Sequence, residues 1–185
     1  FTGETTTGGA IMRAASHDVK ALSFELGGKN PSIVFADADF DAAIEGTVRS
    51  VFANCGQVCL CSERVYVERP IFDKFVATLK EKAEDMKLGR PEDEDTQMGP
   101  LATLAQIEHI ERQVALAKEE GGRVLTGGKA PKDPETGWFY EPTIIECPDQ
   151  KMTIVDTELF GPVLSVLRFD DEAEVTALAN DSKFG

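Results

Sequence analysis

The chain has 185 residues, 42% hydrophobic and 28% charged, enough apolar content to bury one sizeable core, or one domain plus part of another. Its formal net charge of −14 argues against nucleic acid or an anionic membrane as a partner, because both need basic patches. No apolar run approaches the roughly 20 residues of a membrane-spanning helix, no signal-peptide pattern opens the chain, and four cysteines, three of them clustered, fit a reducing cytosol better than a disulfide framework.

The chain begins at Phe1-Thr2-Gly3 without an initiator Met and stops at Lys183-Phe184-Gly185, just after an expected helix. Both ends read as cuts, so a piece of a longer protein is expected. Gly3-Glu4-Thr5-Thr6-Thr7-Gly8-Gly9 precedes a helical pattern through Ile11, Met12, Ala14 and Ala15. Exposed N–H groups at such a helix start can cradle a phosphate. A P-loop would need Lys-Ser/Thr after the second glycine, where Gly9-Ala10 stands, and a G-x-G-x-x-G fingerprint is absent. An ordinary turn between strand and helix explains the stretch as well.

Ala21–Leu26 reads as a strand closed by Gly27-Gly28, and Ser32–Ala36 as a second. Glu25 lies at the end of the first. A carboxylate buried there would bind protons more readily and could serve as a general base, whereas an exposed one would be an ordinary surface glutamate. Asp37, Asp39 and Asp41 supply capping acids for a helix running to about Phe52, with Ala42, Ala43, Ile44, Val48, Val51 and Phe52 at helical spacing.

That helix delivers Asn54-Cys55-Gly56-Gln57-Val58-Cys59-Leu60-Cys61, followed at once by the strand Arg64–Val67. Three readings of the cysteines stand side by side. They can be small buried groups that pack. They can belong to a metal site, although their spacing fits paired zinc ligands poorly, and only Cys147, His17 and His109 remain as further ligands. One of them can be a catalytic thiol, held rigidly where a polar loop meets a buried strand, if a base and an oxyanion donor lie nearby.

Pro70 starts the next helix, with Phe72, Phe75, Val76, Leu79 and Ala83 on one face and an end near Gly89. An acidic loop, 90–96, follows. A long helix is expected from about Thr103 to Glu120, capped by Gly121-Gly122, with His109 as a surface or packing residue. Arg123–Thr126 and Phe139–Ile145 read as strands around a Gly/Pro-rich turn region, Val163–Phe169 as an apolar strand, and about Asp171 to Asn180 as a last helix. Alternating strands and helices give the α/β class, with a mostly parallel sheet flanked by helices.

In order and spacing, these pieces resemble the NAD(P)-dependent aldehyde dehydrogenase superfamily over the full chain. Phe1-Thr2-Gly3 with Gly8 is similar to its cofactor-side glycine motif, except that Glu4 stands where serine is usual. Glu25-Leu26-Gly27-Gly28-Lys29 resembles its general-base motif, Gly56-Gln57-Val58-Cys59 its catalytic-cysteine motif, and Glu158-Leu159-Phe160-Gly161-Pro162-Val163 its ribose-contacting motif. The run from Phe52 to Val67 most resembles the muconic-semialdehyde dehydrogenase branch.

The resemblance implies a fold of the aldehyde dehydrogenase catalytic-domain type, with 1–28 as the tail of a nucleotide-binding domain and 29–185 as a truncated catalytic domain. It implies Cys59 as nucleophile, with Cys55 and Cys61 left to packing, and Glu25 as the base that activates the hydrolytic water. Gly3, Glu4 and Gly8 would line the dinucleotide, Leu26 the nicotinamide amide, Glu158 a ribose and Phe160 the nicotinamide ring, with Gln106 towards the adenosine end. Glu4 would repel a pyrophosphate unless it points away or meets a ribose hydroxyl, and a nearby acid disfavours a 2′-phosphate, which favours NAD over NADP. No metal is implied. The full-length protein would be a cytoplasmic homo-oligomer oxidising an aldehyde, a muconic-type semialdehyde included. The alternatives are a non-catalytic binding or scaffold protein of the same fold, or a CoA- or phosphate-dependent semialdehyde dehydrogenase.

Overall fold

The computed structural model describes residues 1–132 and 137–184. Among these residues, five strands form one sheet in the order β1-β2-β5-β4-β3. They are β1 (Asn30–Val34), β2 (Ser62–Glu68), β3 (Arg123–Thr126), β4 (Thr143–Glu146) and β5 (Val163–Phe169). Every pairing is parallel except that of β3 with β4 at one edge. Among the described residues, six α-helices flank the sheet: α1 (Thr5–Ser16), α2 (Phe40–Phe52), α3 (Arg69–Glu84), α4 (Leu104–Glu119), the short α5 (Thr153–Asp156) and α6 (Glu172–Asn180). Among the described residues, no helix is long and apolar enough to cross a membrane.

Central strands covered on both faces read as unbroken apolar runs. Val65, Tyr66 and Val67 in β2, and Val163, Leu164, Val166 and Phe169 in β5, are accordingly buried. From α3, Phe72, Phe75 and Leu79 pack inward, and from α4, Ile107, Ile110 and Val114. The caps follow the sequence. The side chains of Asp39, Thr103 and Asp171 accept backbone N–H groups of Ala42, Gln106 and Glu174. Gly121, at φ +95°, ends α4 in the left-handed region.

Several expected boundaries move. Ala21–Leu26 is not a strand of the sheet; its only ladder contact is the bridge between Glu25 and Thr2. An apolar run becomes a strand only where a partner lies alongside, and here Phe1–Gly3 offers a single residue pair. β1 starts two residues before its expected start at Ser32 because Asn30 already pairs with Ser62. The strand expected from Phe139 begins only at Thr143, just after Pro142, which lacks the N–H that a ladder requires. Of the turn region between β3 and β4, 133–136 lie outside the described residues.

Candidate active site

β2 begins three residues after Cys59, so the turn that carries this cysteine hangs from the start of a strand buried from Ser62 to Val67. The turn is shaped by three successive left-handed residues, Asn54, Cys55 and Gly56. Gly56 has a second reason to lack a side chain: a Cβ there would lie 2.1 Å from the carbonyl oxygen of Gly161. The amide of Asn30 fixes the other side of the turn, donating to the Cys59 carbonyl at 2.7 Å and to the Cys61 carbonyl at 3.0 Å. Cys59 is exposed, while Cys55 and Cys61 are buried. Burial raises the Cys55 thiol to about 12 and also raises that of Cys61. The fourth cysteine, Cys147, is buried too, and burial raises its thiol to about 11.

Cys59 opens onto a cavity of about 400 Å³ that Glu25, Leu26, Gly3, Glu4, Glu158 and Phe160 also line. The sulfur and the carboxyl expected to act together therefore share one pocket, and both residues are exposed. The segment bearing Glu25 passes between the other two parts of the site. A Cβ on Gly27 would sit 2.2 Å from Glu158 Oε2, and one on Gly28 would lie 3.7 Å from the Cys59 carbonyl oxygen. Glu158 Oε1 accepts the Gly28 N–H at 3.1 Å. Partial burial raises the pKa of Glu158 above the usual carboxylate range, against the lowering effect of that hydrogen bond.

Phe160 is 38% exposed and has φ +51°. For a non-glycine residue this conformation costs on the order of 1–3 kcal/mol, and it persists only where surrounding contacts impose it. Those contacts are unusually complete. Glu63, buried at the start of β2, accepts the Leu159 N–H at 2.8 Å and the Phe160 N–H at 3.0 Å. Gln106 donates to the carbonyls of both residues. The buried ammonium of Lys29 lies 2.5 Å from Glu63 Oε2. Sequence reading missed Glu63. A carboxylate two residues after a cysteine cluster looks like any exposed acid, and its partners lie 34 to 97 positions away.

Other expected residues make contacts of their own. Gly8 does not reach the cavity wall; it is buried beneath Leu26, and a Cβ there would meet Leu26 Cδ2 at 2.8 Å. Glu4 caps α1, accepting the Thr7 N–H at 3.2 Å and the Thr6 hydroxyl. Hydrogen bonds, that from the Thr6 hydroxyl foremost, hold its carboxyl below the usual range. An anion already occupies that helix start, so the phosphate cradle considered from sequence is filled by the chain itself. Gln106 lines the cavity and donates its amide to the carbonyls of Leu159 and Phe160. His109, expected on the surface or in packing, lines the same cavity.

The donor set suits the ribosyl-nicotinamide end of a dinucleotide. The Glu158 carboxylate would accept ribose hydroxyls, Phe160 would offer an aromatic face and Leu26 an apolar contact, while Gly27 leaves room over the carboxylate. Among the described residues, no three His, Cys, Asp or Glu side chains converge on a metal position.

A model described as "Aldehyde dehydrogenase family" matches residues 1–185. Over the whole chain, 47% of residues are identical to a 2-aminomuconic 6-semialdehyde dehydrogenase of Pseudomonas sp., of which the chain covers 38%. Identity is 50% to a 2-hydroxymuconic semialdehyde dehydrogenase of Pseudomonas sp. (strain CF600), with 39% of that protein covered. The crystal structure of betaine aldehyde dehydrogenase from Staphylococcus aureus in complex with NAD+ superposes with a TM-score of 0.97 at 42% identity, over all of this chain and 37% of that one. The chain thus spans less than two fifths of the length of these relatives.

Proposed function

Because the chain belongs to the aldehyde dehydrogenase family, we propose that the whole protein oxidises an aldehyde to a carboxylic acid with NAD, using Cys59 as nucleophile and Glu25 as base. One observation carries this reading: the exposed sulfur and the Glu25 carboxyl line the same cavity as Glu158 and Phe160. The Cys59 thiolate adds to the aldehyde carbon, forming the C–S bond of a thiohemiacetal, and the Cys59 backbone N–H is offered to the resulting oxyanion. Glu158 would hold a ribose of NAD and Phe160 and Leu26 its nicotinamide, and the bound cofactor would supply the acceptor for the hydride that leaves this carbon. Glu25 then takes a proton from water, the hydroxide attacks the thioester carbon, and the C–S bond breaks to return the thiolate and release the acid.

The substrate class we assign is a muconic-type semialdehyde, a reading supported by the relatives that act on such compounds and by the run from Phe52 to Val67. Residues 1–28, which bury only Gly8 and carry no strand of the sheet, are assigned to the tail of the nucleotide-binding domain, and 29–185 to the catalytic domain. The whole protein is expected to act as a homo-oligomer in the cytosol.

Replacing Cys59 by Ala should lower turnover by about a thousandfold or more, with the fold intact because the side chain is exposed. Substantial residual oxidation in that variant would remove Cys59 from its role. Glu25→Gln should slow deacylation more than acylation, so a burst of NADH survives while steady turnover falls. Loss of the burst together with turnover would show that Glu25 is not specific to the water step.

A further inference from the structure

We propose that Glu63, through its pairing with Lys29, is the positioning residue that sets Leu159–Phe160 in the conformation presenting Glu158 and Phe160 to the cofactor; the proposal rests on the NAD-dependent reading above. Three donors converge on this one carboxylate: Lys29 Nζ and the Leu159 N–H on Oε2, and the Phe160 N–H on Oε1. Successive backbone N–H groups turned towards one anion form an anion-holding concavity, and a left-handed residue such as Phe160 is what allows it.

Stability alone does not explain the pair. A buried ion pair is often matched or bettered by hydrocarbon of similar volume, because desolvating two charges offsets their attraction. What hydrocarbon cannot supply is an acceptor for two loop amides. Lys29 is 2% exposed, with no exposure of its side chain, so its contact fixes the Glu63 carboxylate in place without competition from solvent. Lys29 also ends the segment that carries Glu25, and Glu63 lies four residues beyond Cys59. The pair thereby ties the start of β2 and the end of the Glu25 segment to the Glu158–Phe160 loop.

The test uses the whole protein and two readouts besides turnover: NAD affinity by calorimetry, and amide hydrogen exchange over 158–161. Lys29→Met/Glu63→Leu removes both charges and the acceptor. Its dissociation constant for NAD should rise about tenfold or more, the scale of losing charge-assisted hydrogen bonds. Exchange at Leu159 and Phe160 should accelerate, and the KM for NAD should rise more than kcat falls. The rate at which iodoacetamide alkylates Cys59 should stay within about twofold, since the turn is held separately by Asn30.

Lys29→Met/Glu63→Gln keeps a carbonyl acceptor without a charge and should recover part of the affinity. Glu63→Gln alone serves if the hydrocarbon pair does not fold, and it too should weaken NAD and loosen 158–161. Variants that bind NAD as tightly as the parent, or exchange these amides at the parent's rate, overturn the role given to Glu63. A parent protein that binds no NAD overturns the dehydrogenase reading and this inference with it.

Discussion

Cys59 and Cys55 lie four residues apart on one turn, yet their surroundings set them chemically far apart. Burial raises the Cys55 thiol to about 12 and that of Cys147 to about 11, and it raises Cys61 as well. The thiolate is the reactive form. At pH 8, an alkylating reagent should therefore modify Cys59 in the folded protein and leave the other three until denaturant is added. Peptide mass spectrometry reads this directly, and native-state labelling of Cys55 at a comparable rate would contradict it.

Glu158 supplies a pH test of known sign. Its folded pKa is raised, so between its unfolded and folded values the folded state binds more protons, and stability falls as pH rises through that window. Glu158→Gln, which keeps an acceptor for the Gly28 N–H, should leave the protein as stable as the parent or slightly more so at pH 7. That advantage should vanish in melts taken below the carboxylate range.

Glu25 and Cys59 were legible as candidates because each lies beside a glycine-rich break in an otherwise apolar pattern. Glu63 and Lys29 were not. A polar pair becomes meaningful only once folding buries it, and no local pattern marks that in advance.

At the level of elements, the long amphipathic helices and the two central strands could be read directly, because each is defined by its own periodicity or by an uninterrupted apolar run. β1 was found but misregistered, since the partner β2 decides its limits. Pro31 is accommodated there because β1 is an edge strand, with one side free of ladder bonds. The 21–26 segment failed as a strand for want of a neighbour. The helix α3 is held to the sheet by Phe72, Phe75 and Leu79, all essentially without exposure. Phe75→Ala should cost about 3–5 kcal/mol of stability, from lost burial and the cavity left behind. Chemical denaturation would measure it, and a loss below about 1 kcal/mol would mean that the site collapses and refills.

For the molecule as a whole, the charge of −14 and the exposed apolar side chains pull in opposite directions. Phe1, Met12, Val19 and Leu22 are all exposed within the first 22 residues. Clustered apolar exposure of this kind marks a contact surface. The 185-residue chain by itself should therefore self-associate and bind a hydrophobic dye, increasingly as salt screens its acidic repulsion. Sedimentation at two ionic strengths tests this, and a monomer under both conditions would refute it. The same chain should show little dehydrogenase turnover, because it supplies one end of a cofactor site.

The closeness of Gly56 to the Gly161 carbonyl has a mechanical outcome. With no side chain between them, the thiol and the aromatic wall formed by Phe160 travel as one block. Any breathing of the cavity then falls to the opposite wall, the ribbon from Phe1 to Leu26, which is fastened to itself by the Thr2–Glu25 bridge and the Phe1 ammonium on the Ser23 carbonyl. Water entry and product escape should follow the swing of that ribbon, while the aim of the sulfur stays constant.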